Sequence, residues 1–102
     1  MKNMNEDDVK CLSNFLEKPG MYIVSMDKTN ITSFIQGYEL GTQGRCKFTE
    51  TLSDLLASKY NIKKYATGWS NQIGRYCESN EELWVETFIQ LGFEVLSLDS
   101  YA

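Results

Sequence analysis

The chain has 102 residues, 42% of them hydrophobic and 13% aromatic, and a net charge of -4. This length fits one domain, residues 1–102, with enough apolar residues for a core that needs neither disulfides nor a metal. The acidic balance argues against nucleic acid as a direct partner, because phosphate binding depends on clustered lysine and arginine. A basic protein partner suits an acidic chain better.

Three cysteines, Cys11, Cys46 and Cys77, are odd in number and far apart, and the chain contains no histidine. This pattern is neither a disulfide framework nor the usual spacing of a metal site, so we expect no metal and no cofactor. The first residues lack the apolar core of a secretory leader, and no window is apolar enough for a membrane span. We therefore expect a cytoplasmic protein with reduced thiols and no membrane association.

Two helices are predicted in the first half of the chain. The first has Asn5 as its N-cap and ends at Lys18-Pro19-Gly20, because the residue before a proline leaves the helical region. The run MYIV, residues 21–24, is too short for a helix and predicts an extended segment with alternate side chains on the core. A second helix follows, with Thr29 or Asn30 as its cap and Gly41 at its end.

Three more helices are predicted in the second half. Thr51 and Asp54 fit a capping box, a short helix begins at Trp69, and Ser79 with Glu82 fits another capping box. Gly92 is the predicted stop of the fifth helix. The alternating tail 94–102 predicts a short strand or a loosely packed end. The fold class predicted is mainly α: a compact single domain of about five helices with at most one or two short strands.

Catalytic chemistry is hard to place on this sequence. Histidine, the usual acid–base residue near neutral pH, is absent, and the acids lie at helix N-termini or on exposed faces. Cys46 is the most thiolate-friendly cysteine because it lies between Arg45 and Lys47, and a small enzyme that uses Cys46 is one alternative. A nucleophile also needs a base and an orienting group, so we expect no catalytic residues and no enzyme.

The charge distribution is more informative. No basic residue follows Arg75, whereas acids are frequent in the last quarter of the chain. An ordinary solvated helix face explains such a run, and so does an acidic surface that captures a basic protein. Tryptophan often anchors interfaces. The candidate partner-binding residues are Glu78, Glu81, Glu82, Trp84 and Glu86, with Asp7 and Asp8 as a second patch.

The segments KPGMYI and ITSFIQGYELG resemble a pattern in small bacterial proteins of about this length. The matching positions are Lys18, Pro19, Met21, Tyr22, Ile23, Phe34, Ile35, Gly37 and Tyr38. Such proteins are similar to immunity partners of polymorphic toxins, including those of contact-dependent growth inhibition systems. The resemblance covers about a quarter of the chain, and Val24 stands where the pattern has glycine.

This resemblance implies an immunity protein that binds and neutralises a cognate basic toxin. The toxin would be a nuclease (RNase) domain, and the immunity protein would occlude its active site or substrate cleft. The alternative function is a non-catalytic cytosolic adaptor or regulatory module that binds another protein. The matched positions set a helix stop, a turn and a core stripe, so they are not carried over as binding residues.

Overall fold

The fold was analysed in a computed structural model that describes residues 4–64, 66, 68–80 and 83–100. Five helices account for most of it: α1 (Glu6–Glu17), α2 (Lys28–Gly41), α3 (Phe48–Ser58), α4 (Trp69–Asn80) and α5 (Trp84–Ser100). The described residues contain no strand. The predicted mainly α domain of about five helices is confirmed.

Helix α5 lies at the centre and packs against α1, α3 and α4. Its buried residues recur at helical spacing: Phe88, Leu91, Val95 and Leu96. The other helices contribute the buried stripes that their periodicity predicts, because one face of each amphipathic helix must leave water. The largest of these buried apolar side chains are Leu12, Phe15, Ile31, Ile35, Phe48, Leu52, Leu56 and Ile73.

The predicted stop at Gly92 is wrong, because α5 continues to Ser100. Gly92 is buried, and a Cβ atom there would lie 2.8 Å from Cδ1 of Leu16 in α1. The glycine therefore allows close approach of two helices instead of ending one. The strand or loose end predicted for 94–102 is also wrong as far as Ser100, because Val95 and Leu96 extend the buried helical stripe. Residues 101 and 102 lie outside the described residues.

The predicted extended segment at 21–24 is wrong as well. Pro19–Met21 form a single 3-10 turn. The amide of Tyr22 donates to the Pro19 carbonyl at 2.9 Å, as does that of Ile23 at 3.1 Å. These local hydrogen bonds satisfy the backbone amides without a partner strand. The segment therefore does not need an extended conformation to pair its backbone.

Helix starts differ from the predictions in three of five places, and α4 begins at Trp69 as predicted. Asn5 caps α1 in a complete capping box with Asp8, as predicted. Asp27, rather than Thr29 or Asn30, caps α2. Helix α3 begins at Phe48, upstream of the predicted Thr51–Asp54 box. The predicted start at Ser79 is wrong because α4 runs to Asn80, and Glu82, the other half of that box, lies outside the described residues.

The contact between Gly92 and Leu16 can be tested by substitution with alanine. Gly92→Ala should destabilise the fold by about 1–3 kcal/mol, because the added methyl group overpacks a buried helix contact. Gly37→Ala is the matched control, since a Cβ on this exposed helical glycine meets nothing within 4 Å. That control should gain about 0.5–1 kcal/mol from helix propensity. Urea unfolding measures both, and equal gains in the two variants would contradict the close approach.

Candidate protein-binding surface

The junction between α4 and α5 carries the acids that were predicted to bind a partner. Glu78 and Glu86 are exposed, and Glu78 is 3.9 Å from Arg75 across a surface ion pair. Glu81 and Glu82 lie outside the described residues. Leu83 lies between Glu78 and Glu86 in the sequence and is 67% exposed. It was not singled out as a surface residue from the sequence. We call Glu78, Leu83 and Glu86 the acidic junction.

Trp84 is partly a core residue. Its ring stacks on Phe88 with centroids 5.6 Å apart, and it lies 6.1 Å from the ring of Trp69. Its indole N–H donates to the carbonyl of Ser70 at 3.0 Å. Trp84 is half-buried, so its main effect is to fix the first turn of α5 against the first turn of α4.

The predicted second patch divides into one exposed and one buried residue. Asp7 faces solvent, but Asp8 is only 1% exposed. The guanidinium of Arg45 donates to both carboxylate oxygens of Asp8 at 2.6 and 3.0 Å, and the Tyr38 hydroxyl donates at 2.6 Å. Asp8 is therefore not available to a partner, because these internal donors and the α1 capping box use its oxygens.

This network has a clear electrostatic signature. The hydrogen bond from Arg45 lowers the pKa of Asp8 to about 2, with Tyr38 and the amide of Asn5 adding to the shift against the effect of burial. Burial and the hydrogen bond to Asp8 raise the pKa of Tyr38 well above its ordinary value. The carboxylate thus stays ionised and joins α1 to α2 and to the connection that follows α2.

Glu94, another acid in the last quarter of the chain, also has partners within the protein. Glu94 accepts a hydrogen bond from the Tyr60 hydroxyl at 2.8 Å and forms an ion pair with Lys59. Burial raises the pKa of Glu94, but the hydrogen bonds from Lys59 and Tyr60 outweigh it and lower the pKa overall. The run of acids in the sequence is therefore not one continuous surface.

Cys46 does not have the environment of a reactive thiol. It is 2% exposed, and burial raises its pKa to about 11. Arg45, which the sequence places next to it, directs its guanidinium to Asp8. The thiol is therefore protonated at neutral pH, which removes the basis for a Cys46 nucleophile.

A groove of about 440 Å³ passes beside Cys46, between the end of α2 and the start of α3. Its principal carboxylate, Glu39, accepts hydrogen bonds from the amide of Thr49 at 2.8 Å and from the Thr49 hydroxyl at 2.7 Å. Lys47 provides no side-chain cap for α3, and Glu39 takes over that function from α2. Both oxygens of the Glu39 carboxylate thus have a structural role, whereas Glu50, which also lines the groove, is exposed.

A second exposed surface is apolar, and the sequence prediction missed it. Met21 is 76% exposed, Val24 102% and Met26 49%. We call residues 21–26 the apolar loop. The extended-segment prediction covered residues 21–24 and placed either Met21 and Ile23 or Tyr22 and Val24 on the core. The strand predicted as a possible partner lay in the tail 94–102, which is helical as far as Ser100.

Within the described part of the chain, no group of three or more His, Cys, Asp or Glu side chains is arranged to hold a metal ion. No described helix has the length and apolar character needed to cross a membrane. Comparison with family models, curated proteins and solved structures found no match.

The Asp8 network should make stability depend on pH. The pKa of Asp8 is about 2 in the folded protein and 3.8 ordinarily, so its stabilisation is complete above the ordinary value and is lost as the pH falls to about 2. Asp8→Asn should cost about 2–4 kcal/mol at pH 7, since Arg45 and Tyr38 lose their charged acceptor. Denaturant unfolding should show the difference from wild type shrinking between pH 5 and 2.

Asp7→Asn is the control for this experiment, because Asp7 is exposed on the same helical turn. We expect a change below about 0.5 kcal/mol, as for ordinary surface substitutions. A cost for Asp8→Asn that stays constant down to pH 2 would contradict the assigned ionisation.

Cys46 should remain a thiol across the physiological pH range. Thiolate absorbance at 240 nm can be titrated from pH 6 to 9 in the Cys11→Ala/Cys77→Ala variant, with the cysteine-free variant as the blank. The blank should superimpose on the single-cysteine protein, because the pKa of Cys46 is raised to about 11. A titration step below pH 9 would restore the Cys46 nucleophile as a hypothesis.

Proposed function

We propose that this chain is an immunity protein. It acts by binding rather than by catalysis, and it neutralises a cognate toxin, a nuclease (RNase) domain, by occluding the active site or substrate cleft. The observation that carries this proposal is the acidic junction, in which two exposed carboxylates flank an exposed leucine. The resemblance of KPGMYI and ITSFIQGYELG to immunity proteins gives the class of partner.

Electrostatics supports this choice of partner. Nucleases bind phosphates through basic clefts, so an acidic surface can take the place of the nucleic acid. Beyond Arg75 the sequence contains only acidic charges, and Glu81 and Glu82 fall between the two exposed glutamates. Such complementarity speeds association and rejects acidic proteins, while apolar contacts supply much of the affinity.

The proposed function requires no reacting group on this chain. Blocking a cleft needs a surface of fixed shape, and Trp84 fixes this one through its hydrogen bond to Ser70 and its stack on Phe88. The protonated Cys46 and the structurally used Glu39 fit the same interpretation. The adaptor alternative shares these features, so the identity of the partner decides between the two.

The test is capture of the partner with the tagged protein in its native host, followed by mass spectrometry and a nuclease assay. We expect a basic toxin fragment whose RNase activity falls when this protein is added. Recovery of housekeeping proteins alone, with no inhibited activity, would favour the adaptor function instead.

Charge reversal then tests the acidic junction. Glu78→Lys/Glu86→Lys should weaken toxin binding at least about tenfold at low salt, and should reduce the salt dependence of the dissociation constant. Glu17→Lys/Glu50→Lys is the matched control, because it changes the net charge equally at exposed positions on α1 and α3. Equal weakening by both variants would mean that overall charge, not the junction, attracts the toxin.

Salt itself provides a second readout for the wild-type protein. Raising the salt from about 50 to about 500 mM shortens the Debye length to roughly 4 Å and should weaken an electrostatic complex. Affinity that does not change over this range would contradict the electrostatic part of the proposal.

A further inference from the structure

The apolar loop is the most unusual surface of the described chain. Isolated exposed apolar residues are common, but Met21, Val24 and Met26 fall within six residues of one another. Val24 makes so little contact that its side chain is fully exposed. Clustered apolar side chains of this kind mark interaction sites on soluble proteins.

The backbone that carries these side chains is fixed. Pro19 is buried at the start of the loop, and the Tyr22 ring packs edge-on against Phe15 and Phe34, with centroids 5.8 and 5.6 Å apart. At the other end, Asp27 accepts a hydrogen bond from the amide of Asn30 at 2.8 Å and so caps α2. A loop held at both ends loses little freedom on binding, which favours affinity.

The apolar loop lies at the same end of the molecule as Leu83 and Glu86, the part of the acidic junction that belongs to the start of α5. The Lys28 ammonium, in the first turn of α2, donates to the side chain of Asn71 in α4 at 3.3 Å. The Trp84 indole, in the first turn of α5, donates to the neighbouring Ser70 carbonyl at 3.0 Å. The first turns of three helices therefore meet. Met26 just precedes one of these turns and Leu83 another.

A second copy of this chain is a poor occupant for this surface. A stable interface buries about 800 Å² on each partner, which is more than the few exposed side chains of this loop present. Like-charged acidic junctions would also face each other around a symmetric contact. An exposed apolar loop beside carboxylates fits an apolar pocket with a basic rim.

We propose that the apolar loop inserts into an apolar pocket next to the basic substrate cleft of the toxin, while the acidic junction covers the cleft. This inference rests on the proposed function and specifies which segment holds the toxin, namely the apolar loop. The glutamates steer the encounter, and Met21, Val24 and Met26 slow dissociation. Unbranched methionine side chains suit this role because they adapt to the shape of a pocket.

The experiment uses the full chain and, as the probe, the C-terminal domain of the protein encoded directly upstream of it. Isothermal titration calorimetry measures the dissociation constant of the probe for wild type and for Met21→Ser/Val24→Ser at several salt concentrations. Leu40→Ser is the matched control, because Leu40 is 78% exposed on α2 outside the apolar loop. These substitutions leave the charge unchanged, so they separate the loop from the acidic junction.

We expect Met21→Ser/Val24→Ser to raise the dissociation constant at least about 30-fold, as loss of a hot spot does, and Leu40→Ser to stay within about threefold. The slope of affinity against salt should be the same for all three proteins. Val24→Ser alone removes only a fully exposed side chain, so a loss of affinity in that variant cannot come from unfolding.

The outcomes separate the two proposals. If wild type binds the probe and the loop variants bind equally well, the proposal that the apolar loop anchors the complex is overturned. The proposed function then stands. If wild type neither binds nor inhibits the probe, the proposed function is overturned and the anchor with it. A weakened complex whose salt slope also changes would overturn the separation of anchoring from steering.

Discussion

The burial of α5 against α1, α3 and α4 is the packing on which the rest of the structure depends. Phe88, Leu91, Val95 and Leu96 leave water along one helix, and each fully buried apolar side chain contributes about 1.5–3 kcal/mol. The contact of Gly92 with Leu16 brings α1 close enough to close this core. The central helix also fixes the start of α5 at the acidic junction. Trp84 and Phe88 of α5 pack in one aromatic cluster with Trp69 of α4.

Helix α2 is attached by a different combination of forces. Phe34 stacks on Phe15 with centroids 4.0 Å apart, and Tyr38 donates to the buried Asp8. Arg45 completes the network from the connection between α2 and α3. A buried carboxylate is costly unless its oxygens are satisfied, so this network tolerates few alternative positions of α2. That restriction holds the apolar loop, which joins α1 to α2, in one place.

The surface left over by this core has two kinds of exposed group at one end. Carboxylates act at long range and depend on salt, whereas apolar side chains act on contact and do not. In the proposed complex the first kind determines which partner approaches and the second how long it stays. Inhibition of this kind follows from shape and charge alone and requires no reacting group on the chain.

The amino-acid sequence by itself determined the helical stripes. Leu12, Phe15 and Leu16 recur at the spacing of one helix face, as do Ile31 and Ile35, and all five side chains are buried. Asn5 was recognised as a cap because capping depends on residues three positions apart. These features are local, so a single helix is enough to specify them.

Only the tertiary structure decided what the ambiguous residues do. Gly92 was predicted to end the fifth helix. Its actual role, close helix packing, depends on Leu16, which is distant in the sequence. Asp8 looked like a surface acid until Arg45 and Tyr38 came within hydrogen-bond distance. Cys46 looked the most thiolate-friendly of the cysteines, but burial raises its pKa. Either Met21 or Val24 was expected on the core, because each belongs to one face of the predicted extended segment, but both are exposed. In each case the deciding group lies on another element, and only packing brings the two together.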